Sequence, residues 1–303
     1  NVFIQLNLLK GLAFRSVYGI DYLNVDNDLF WNPLHGDGQT YGGFASASYT
    51  KNKTWLWTNT LHYDKQIGNH SIGILAGHEQ QRRTGRGFGI NRQTLSDPVF
   101  TEIQAGWVTN NTAGMGFGEN YLTSVFGRLT YDYAKRYFIT GTLRQDEYSG
   151  LGKKKGVFGG GSIGWEVTEE GFWKKMSALN SLFSGLRIKA SYGTVGNIAG
   201  IGDYSPYSTY GSGLYGGSPT LSFSGVGNPL LEWETSKKLD IGLSFSLLDK
   251  RIGAEITYFK NDVDNLILNV PQAASIGLGS VAANIGSKYN KGREFELKAT
   301  PVM

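Results

Sequence analysis

Cysteine is absent from the 303 residues. That removes disulfides and thiolate metal sites, and it argues against a small stapled secreted domain. Proline is scarce at 7, against 43 glycines, 17 tyrosines and 7 tryptophans. This balance suits many strands joined by turns and disfavours a helical bundle. No stretch approaches ~18 uninterrupted apolar residues, so a transmembrane helix is excluded. A membrane barrel is not, because its strands hide their apolarity in alternation. The formal net charge is a mild +4, and no Lys/Arg run is longer than Lys153-Lys154-Lys155. Nucleic-acid binding therefore has little support. No leader stands at Asn1, where a strand pattern opens at once, so the chain is expected to be an internal piece of a longer protein.

What is present is alternation. From Glu232 to Leu247 the odd positions include Trp233, Leu239, Ile241, Leu243, Phe245 and Leu247, while the even ones carry no large apolar residue. A side-chain period of two makes this a strand with one apolar face. After a turn at Asp249-Lys250 the pattern resumes on Ile252, Ala254, Ile256 and Tyr258, with Phe259 out of step. At ~3.3 Å per residue the two strands run to about 50 and 35 Å, far beyond an ordinary strand. Long amphipathic hairpins with a short turn at one end are the mark of a membrane barrel. Leu239, Ile241, Leu243, Ile252, Ala254 and Ile256 are expected to face lipid, with Trp233 in an aromatic girdle.

About eleven such strands can be laid along the chain. The connections between them alternate. Short turns are expected at 9–11, 65–69, 134–136 and 249–250, and long excursions at 25–53, 82–120, 197–231 and 263–283. The 147–156 loop is placed with the long ones and a helical link, Thr168 to Ser184, with the short. An outer-membrane barrel has this parity, with short turns in the periplasm and long loops outside. Lys10, Gln66, Lys135 and Lys250 are thus expected to be periplasmic, and Asp37, Gly114, Lys154, Tyr210 and Ser275 extracellular.

Candidate chemistry is sparse. Gly159-Gly160-Gly161-Ser162-Ile163-Gly164 spells G-x-G-x-x-G, but inside a strand pattern, where a nucleotide loop does not belong. Glu232/Glu234 and Glu294/Glu296 place paired carboxylates on a strand face, as a glycosidase needs; lining of a polar lumen explains them better. His62, His70 and His78 lack a convincing third metal ligand. Asp26-Asn27-Asp28 lacks the closing Glu of a calcium loop and reads as a solvated turn. No metal, cofactor or catalytic group is expected. The excursion at 197–231 is different: Tyr204, Tyr207, Tyr210 and Tyr215 stand among glycines and serines. Rigid aromatic surface on adaptable backbone suits contact with sugars or other substrates. None of the four is expected to sit in a strand.

Asn228-Pro229-Leu230-Leu231-Glu232-Trp233-Glu234 resembles the NPxLxWE motif of SusC/RagA-like TonB-dependent outer-membrane transporters. Further blocks are similar in the same order: Leu61 to Lys65 with Ile67 to His70, Leu186 to Gly193, Leu239 to Leu243, Tyr258 to Lys260, and Asn284 through Gly292. The resemblance implies an all-β fold, with residues 1–303 forming part of an antiparallel transmembrane β-barrel, about 11–12 strands of 22, without the plug domain or closing strand. It implies a bacterial outer-membrane location and active import of a nutrient, an oligosaccharide or a peptide. Its implied partners are a SusD-like surface lipoprotein, the TonB complex and outer-membrane lipid. A passive porin and a secreted β-rich glycan-binding or adhesive protein are the other readings.

Overall fold

The computed structural model describes residues 1–300 except 112, 249, 250, 274, 276 and 278, and leaves the side chains of 178 and 180 undescribed. The expected turn at Asp249-Lys250 lies outside the described residues. The described residues form fourteen strands: β1 (Val2–Leu9), β2 (Leu12–Trp31), β3 (Phe44–Ile67), β4 (His70–Leu95), β5 (Trp107–Asn110), β6 (Gly114–Tyr133), β7 (Tyr137–Tyr148), β8 (Lys155–Glu166), β9 (Phe183–Asn197), β10 (Thr209–Tyr215), β11 (Ser218–Gly225), β12 (Glu234–Leu247), β13 (Ile252–Pro271) and β14 (Ser280–Ala299). The main sheet follows the order β1-β2-β3-β4-β6-β7-β8-β9-β12-β13-β14, with β5 on β4, while β10 and β11 pair by themselves. The eleven strands of that path are the eleven expected. The path begins at β1 and ends at β14, so the sheet is open at both edges.

Contacts divide the chain into two compact units. The first comprises 1–2, 17–57 and 80–121 and holds an aromatic group in which Trp31 packs on Phe44 at 4.9 Å and on Tyr41 at 6.0 Å. The second comprises 3–16, 58–79 and 122–303.

In the second unit the register sorts the side chains, because directly opposed residues share a face. Tyr131, Ile139, Ile163, Ala190, Ile241 and Tyr258 oppose one another in turn across β6-β7-β8-β9-β12-β13. One step along, Tyr133, Tyr137, Trp165, Ile188, Leu243, Ile256 and Phe295 form a second row on that face. In the first row Ile139, Ile163 and Ile241 are 49%, 62% and 48% exposed. The other face reads Thr130, Thr140, Ser162, Ser191, Asp240, then Phe259 and Gly292. The out-of-step Phe259 is accounted for: a Cβ on Gly292 would lie 2.8 Å from its ring, so the ring fills the notch the glycine leaves. Phe126, likewise out of step, covers Gly77, where a Cβ would come within 2.3 Å.

Several expected boundaries shift. The excursion at 25–53 shrinks to 32–43, and Asp26-Asn27-Asp28 lies inside β2 instead of a turn. Those at 82–120 and 263–283 shrink to 96–113 and 272–279, the former carrying β5. Alternation ends where one face stops being apolar, but the backbone ladder continues into water, since its hydrogen bonds do not depend on that contrast. The 149–154 loop is shorter than the 167–182 link, so the contrast in length fails at that pair although the order of sides holds. The link itself is broken, with a 3-10 turn at Val167–Glu169 and helices of one to two turns at Gly171–Lys174 and Ser177–Leu182. Segments this short have no helical stability of their own. Glu170 ties the link to the sheet, accepting hydrogen bonds from Tyr137 Oη at 2.5 Å and Trp165 Nε1 at 3.1 Å. Those two bonds hold its carboxyl below the usual range.

Candidate functional site

The segment before β12 gathers long-range bonds from the 149–154 loop, β13 and β14. Asn228 closes a local turn, its Oδ1 accepting Leu230 N at 3.0 Å, while its Nδ2 donates to Ala282 O at 2.8 Å. Glu232 N donates to Asn284 Oδ1 at 2.9 Å, and Asn284 Nδ2 returns a bond to Glu232 O at 2.9 Å. The Glu232 carboxylate takes Lys153 Nζ at 2.8 Å and Asn265 Nδ2 at 3.2 Å. Leu151 and Leu231 are fully buried beside Tyr148, Phe158 and Trp233. Gly152 must be glycine here, because a Cβ would lie 1.9 Å from Pro229 O. Together these contacts sew two connections, 149–154 and 198–233, to β13 and β14 as one brace.

Trp233 therefore does not stand in a lipid girdle. It is 7% exposed, donates from Nε1 to Lys154 O at 2.8 Å, and meets the Phe158 ring edge-on at 5.4 Å. Phe158 opposes Arg144 in register, on the polar face. The strand is two residues shorter than its alternation, for β12 begins at Glu234 and leaves Glu232 and Trp233 in the connection before it. Glu232 and Glu234 hold loops instead of forming a carboxylate pair, Glu234 accepting Asn197 Nδ2 at 3.0 Å.

The polar face carries its own ion pairs. Arg144 reaches Asp146 at 2.7 Å, Glu79 at 3.0 Å and Ser124 Oγ at 2.7 Å, and lies over the Phe126 ring at 5.2 Å. Lys189 pairs with Glu255 at 2.5 Å and Arg187 with Glu166 at 2.9 Å. The Gly159 to Gly164 run lies within β8 and backs onto β9, with Gly160 against Gly193. His70 Nδ1 sits 2.8 Å from Tyr131 Oη and His62 Nε2 3.2 Å from Asp64, so the two take different partners. Among the described residues no group of three or more His, Cys, Asp or Glu is placed to hold a metal.

The four tyrosines are distributed along one excursion. Tyr204 and Tyr207 lie in turns at its base, with Tyr207 N donating to Tyr204 O at 2.9 Å. Tyr210 and Tyr215 lie in β10, contrary to the expectation that none would occupy a strand. Two glycines at positive φ, Gly216 and Gly217, close the β10–β11 hairpin, which local spacing did not reveal because its alternation is interrupted by Gly211 and Gly213. Tyr210 meets Phe223 edge-on at 5.4 Å, and Tyr215, at the tip, is 84% exposed. All four are exposed, and they are spread along the excursion instead of converging on one pocket.

A family model described as TonB dependent receptor-like, beta-barrel, matches residues 4–300. The chain belongs to this family. It is 31% identical over 310 residues to TonB-dependent receptor P3 of Formosa agariphila, covering 99% of this chain and 30% of that protein. It is 28% identical over 321 residues to TonB-dependent receptor SusC of Bacteroides thetaiotaomicron, again covering 99% of this chain and 30% of the relative. Among solved structures it superimposes on the RagAB peptide transporter with a TM-score of 0.86 at 25% identity, covering 99% of this chain and 33% of that one. The chain thus spans about 30% of the length of these curated relatives. The SusC/RagA-like resemblance holds, and the sheet is part of an antiparallel outer-membrane β-barrel whose exposed apolar rows are its lipid face.

Proposed function

We propose that this chain is a wall segment of an outer-membrane active transporter, one that imports an oligosaccharide or peptide with a SusD-like lipoprotein and draws energy through TonB. The observation that carries the reading is the two-faced register: exposed apolar rows on one side, ion-paired Lys189–Glu255 and Arg187–Glu166 on the other. A wall with a lipid face and a charged lumen face is what a polar solute needs to cross a membrane. The similarity to the RagAB peptide transporter supports a peptide as the solute, and that to TonB-dependent receptor SusC supports energy supplied through TonB. In this reading the short turns face the periplasm, the plug domain lies elsewhere in the full-length protein, and the exposed Tyr204, Tyr207, Tyr210 and Tyr215 meet the substrate or the lid that delivers it.

The test is uptake of labelled oligosaccharides and peptides by cells carrying the full-length receptor, with and without a working TonB complex. TonB-dependent uptake is expected; uptake that persists unchanged without TonB identifies a passive pore instead. Alanine at Tyr204, Tyr207 and Tyr215 should weaken uptake at normal outer-membrane abundance, by roughly 0.5–1.5 kcal/mol per lost stacking contact. Tyr210 is varied separately because it also packs on Phe223. Normal uptake at normal abundance rules the excursion out as the contact site.

A further inference from the structure

The connection between β8 and β9, residues 167–182, lies at the end of the sheet where Tyr133 and Tyr137 flank a short turn. It carries Phe172, Met176, Leu179 and Leu182, spaced four, three and three residues apart, and all four are 40–50% exposed. Left in water, such a set forgoes the dominant favourable term of folding. The two helices of the connection, four and six residues long, are also too short to persist in water by themselves.

Two carboxylates decide on which side of the wall the connection lies. At its root Glu166, on the face of Ser162, accepts Arg187 Nε at 2.9 Å, Leu186 N at 3.2 Å and Thr168 Oγ1 at 2.8 Å. Glu170 reaches the opposite face. Its Oε1 accepts both Tyr137 Oη at 2.5 Å and Trp165 Nε1 at 3.1 Å, and these two residues oppose one another in the second apolar row. Trp173 follows on that side: its ring meets Phe183 edge-on at 5.9 Å, and Phe183 meets Phe245 edge-on at 6.1 Å. Phe245 stands two residues past Leu243 on β12 and so shares the apolar face. The connection therefore folds over the outside of the wall. Both strands it joins have both sheet neighbours, β7 and β12, within the chain, and the medium outside such a wall is the bilayer.

We propose that residues 171–182 lie in the plane of the membrane as an interfacial segment, with Phe172, Met176, Leu179 and Leu182 seated in the phospholipid leaflet on the short-turn side. Glu170 is the latch that holds the segment at that level. The leaflet supplies the apolar medium these side chains lack, and it favours hydrogen-bonded turns because unpaired backbone is costly there. Tyr137 and Trp165, whose polar ends Glu170 engages, mark the boundary between headgroups and acyl chains. This seat requires the sheet to be a membrane wall and is independent of the solute carried.

The experiment spin-labels single Phe172→Cys, Leu179→Cys, Leu129→Cys and Lys154→Cys variants of the full-length receptor, in a background with no other cysteine. The probe is a vesicle of phosphatidylethanolamine and phosphatidylglycerol. Collisions with oxygen, which partitions into hydrocarbon, are compared with those of a nickel chelate, which stays in water. The oxygen-to-nickel ratio at Phe172 and Leu179 should exceed that at Lys154, exposed in the 149–154 loop, several-fold. It should approach the ratio at Leu129, which lies four residues inside Tyr133 on the lipid face. Glu170→Ala should lower both ratios, whereas Glu170→Gln, whose amide oxygen still accepts both hydrogen bonds, should keep them. Ratios at Phe172 and Leu179 equal to that at Lys154 would overturn the seat. So would labels shielded from oxygen and nickel alike, which would place the segment against protein. Ratios indifferent to Glu170→Ala would overturn the latch. A low ratio at Leu129 as well would instead count against the membrane wall itself. Outer-membrane abundance reports folding, and the labels in the Glu170 background carry the test if Glu170→Ala is poorly made.

Discussion

Trp233 shows how a single residue can be read correctly as aromatic and important yet be assigned the wrong surroundings. Its ring fills the space between Tyr148 and Phe158, and its indole N–H satisfies a carbonyl 79 positions away at Lys154. Replacing it with alanine removes the largest side chain of the buried cluster and leaves the Lys154 carbonyl without its donor. A loss of ~3–5 kcal/mol is expected from the cavity alone. Urea unfolding of the full-length receptor in detergent would measure it, and Trp233→Phe should recover most of the packing but not the hydrogen bond. A Trp233→Ala variant as stable as the parent would mean that the brace contributes nothing. Within the family motif, Asn228, Leu231, Glu232 and Trp233 hold the segment to its neighbours, while Leu230 stays 69% exposed.

At the level of the strand, the decisive feature is that neighbouring residues face different solvents. Ile163 and Ser162 are adjacent in β8, yet Ile163 opposes Ile139 and Ala190 while Ser162 opposes Thr140 and Ser191. Arginine at Ile163 should therefore cost ~2–4 kcal/mol if the residue is near mid-membrane, whereas arginine at Ser162 should cost little. Folding titrations into lipid vesicles give both numbers. Equal costs at the two positions would show that the faces are not differently solvated. The same element logic covers the glycines of β8 and β9: Gly160 and Gly193 leave their backbones so close that a Cβ on either would lie 3.1–3.2 Å from the other's Cα. The G-x-G-x-x-G spelling is a by-product of that close packing.

For the whole molecule, the order of the strands fixes which connections share an end of the sheet. Each strand is followed in the main path by its next neighbour, with only β5 and the β10–β11 hairpin set aside, so connections fall alternately at opposite ends. Cysteine at Lys135 should be hidden from an impermeant reagent on intact cells, and cysteine at Tyr210 should react. Labelling at Lys135 and not at Tyr210 would invert the topology.

Local patterns are enough for the eleven strands of the main path, their two faces and the parity of connections, because a period of two is written in consecutive residues. The family was legible for the same reason, its motif blocks being short and contiguous. Other features were decided only when the chain folded. The strands outran their apolar stretches, because the hydrogen-bonded ladder continues wherever its neighbour does. The 168–184 link gave up a continuous helix as Glu170 was drawn to Tyr137 and Trp165. Trp233, Glu232 and Asn228 found partners 52 to 79 positions away, at Asn284, Ala282, Lys153 and Lys154. No local periodicity encodes such pairs, since the distance between their members in space is set by sheet register and loop closure, which exist only in the assembled fold.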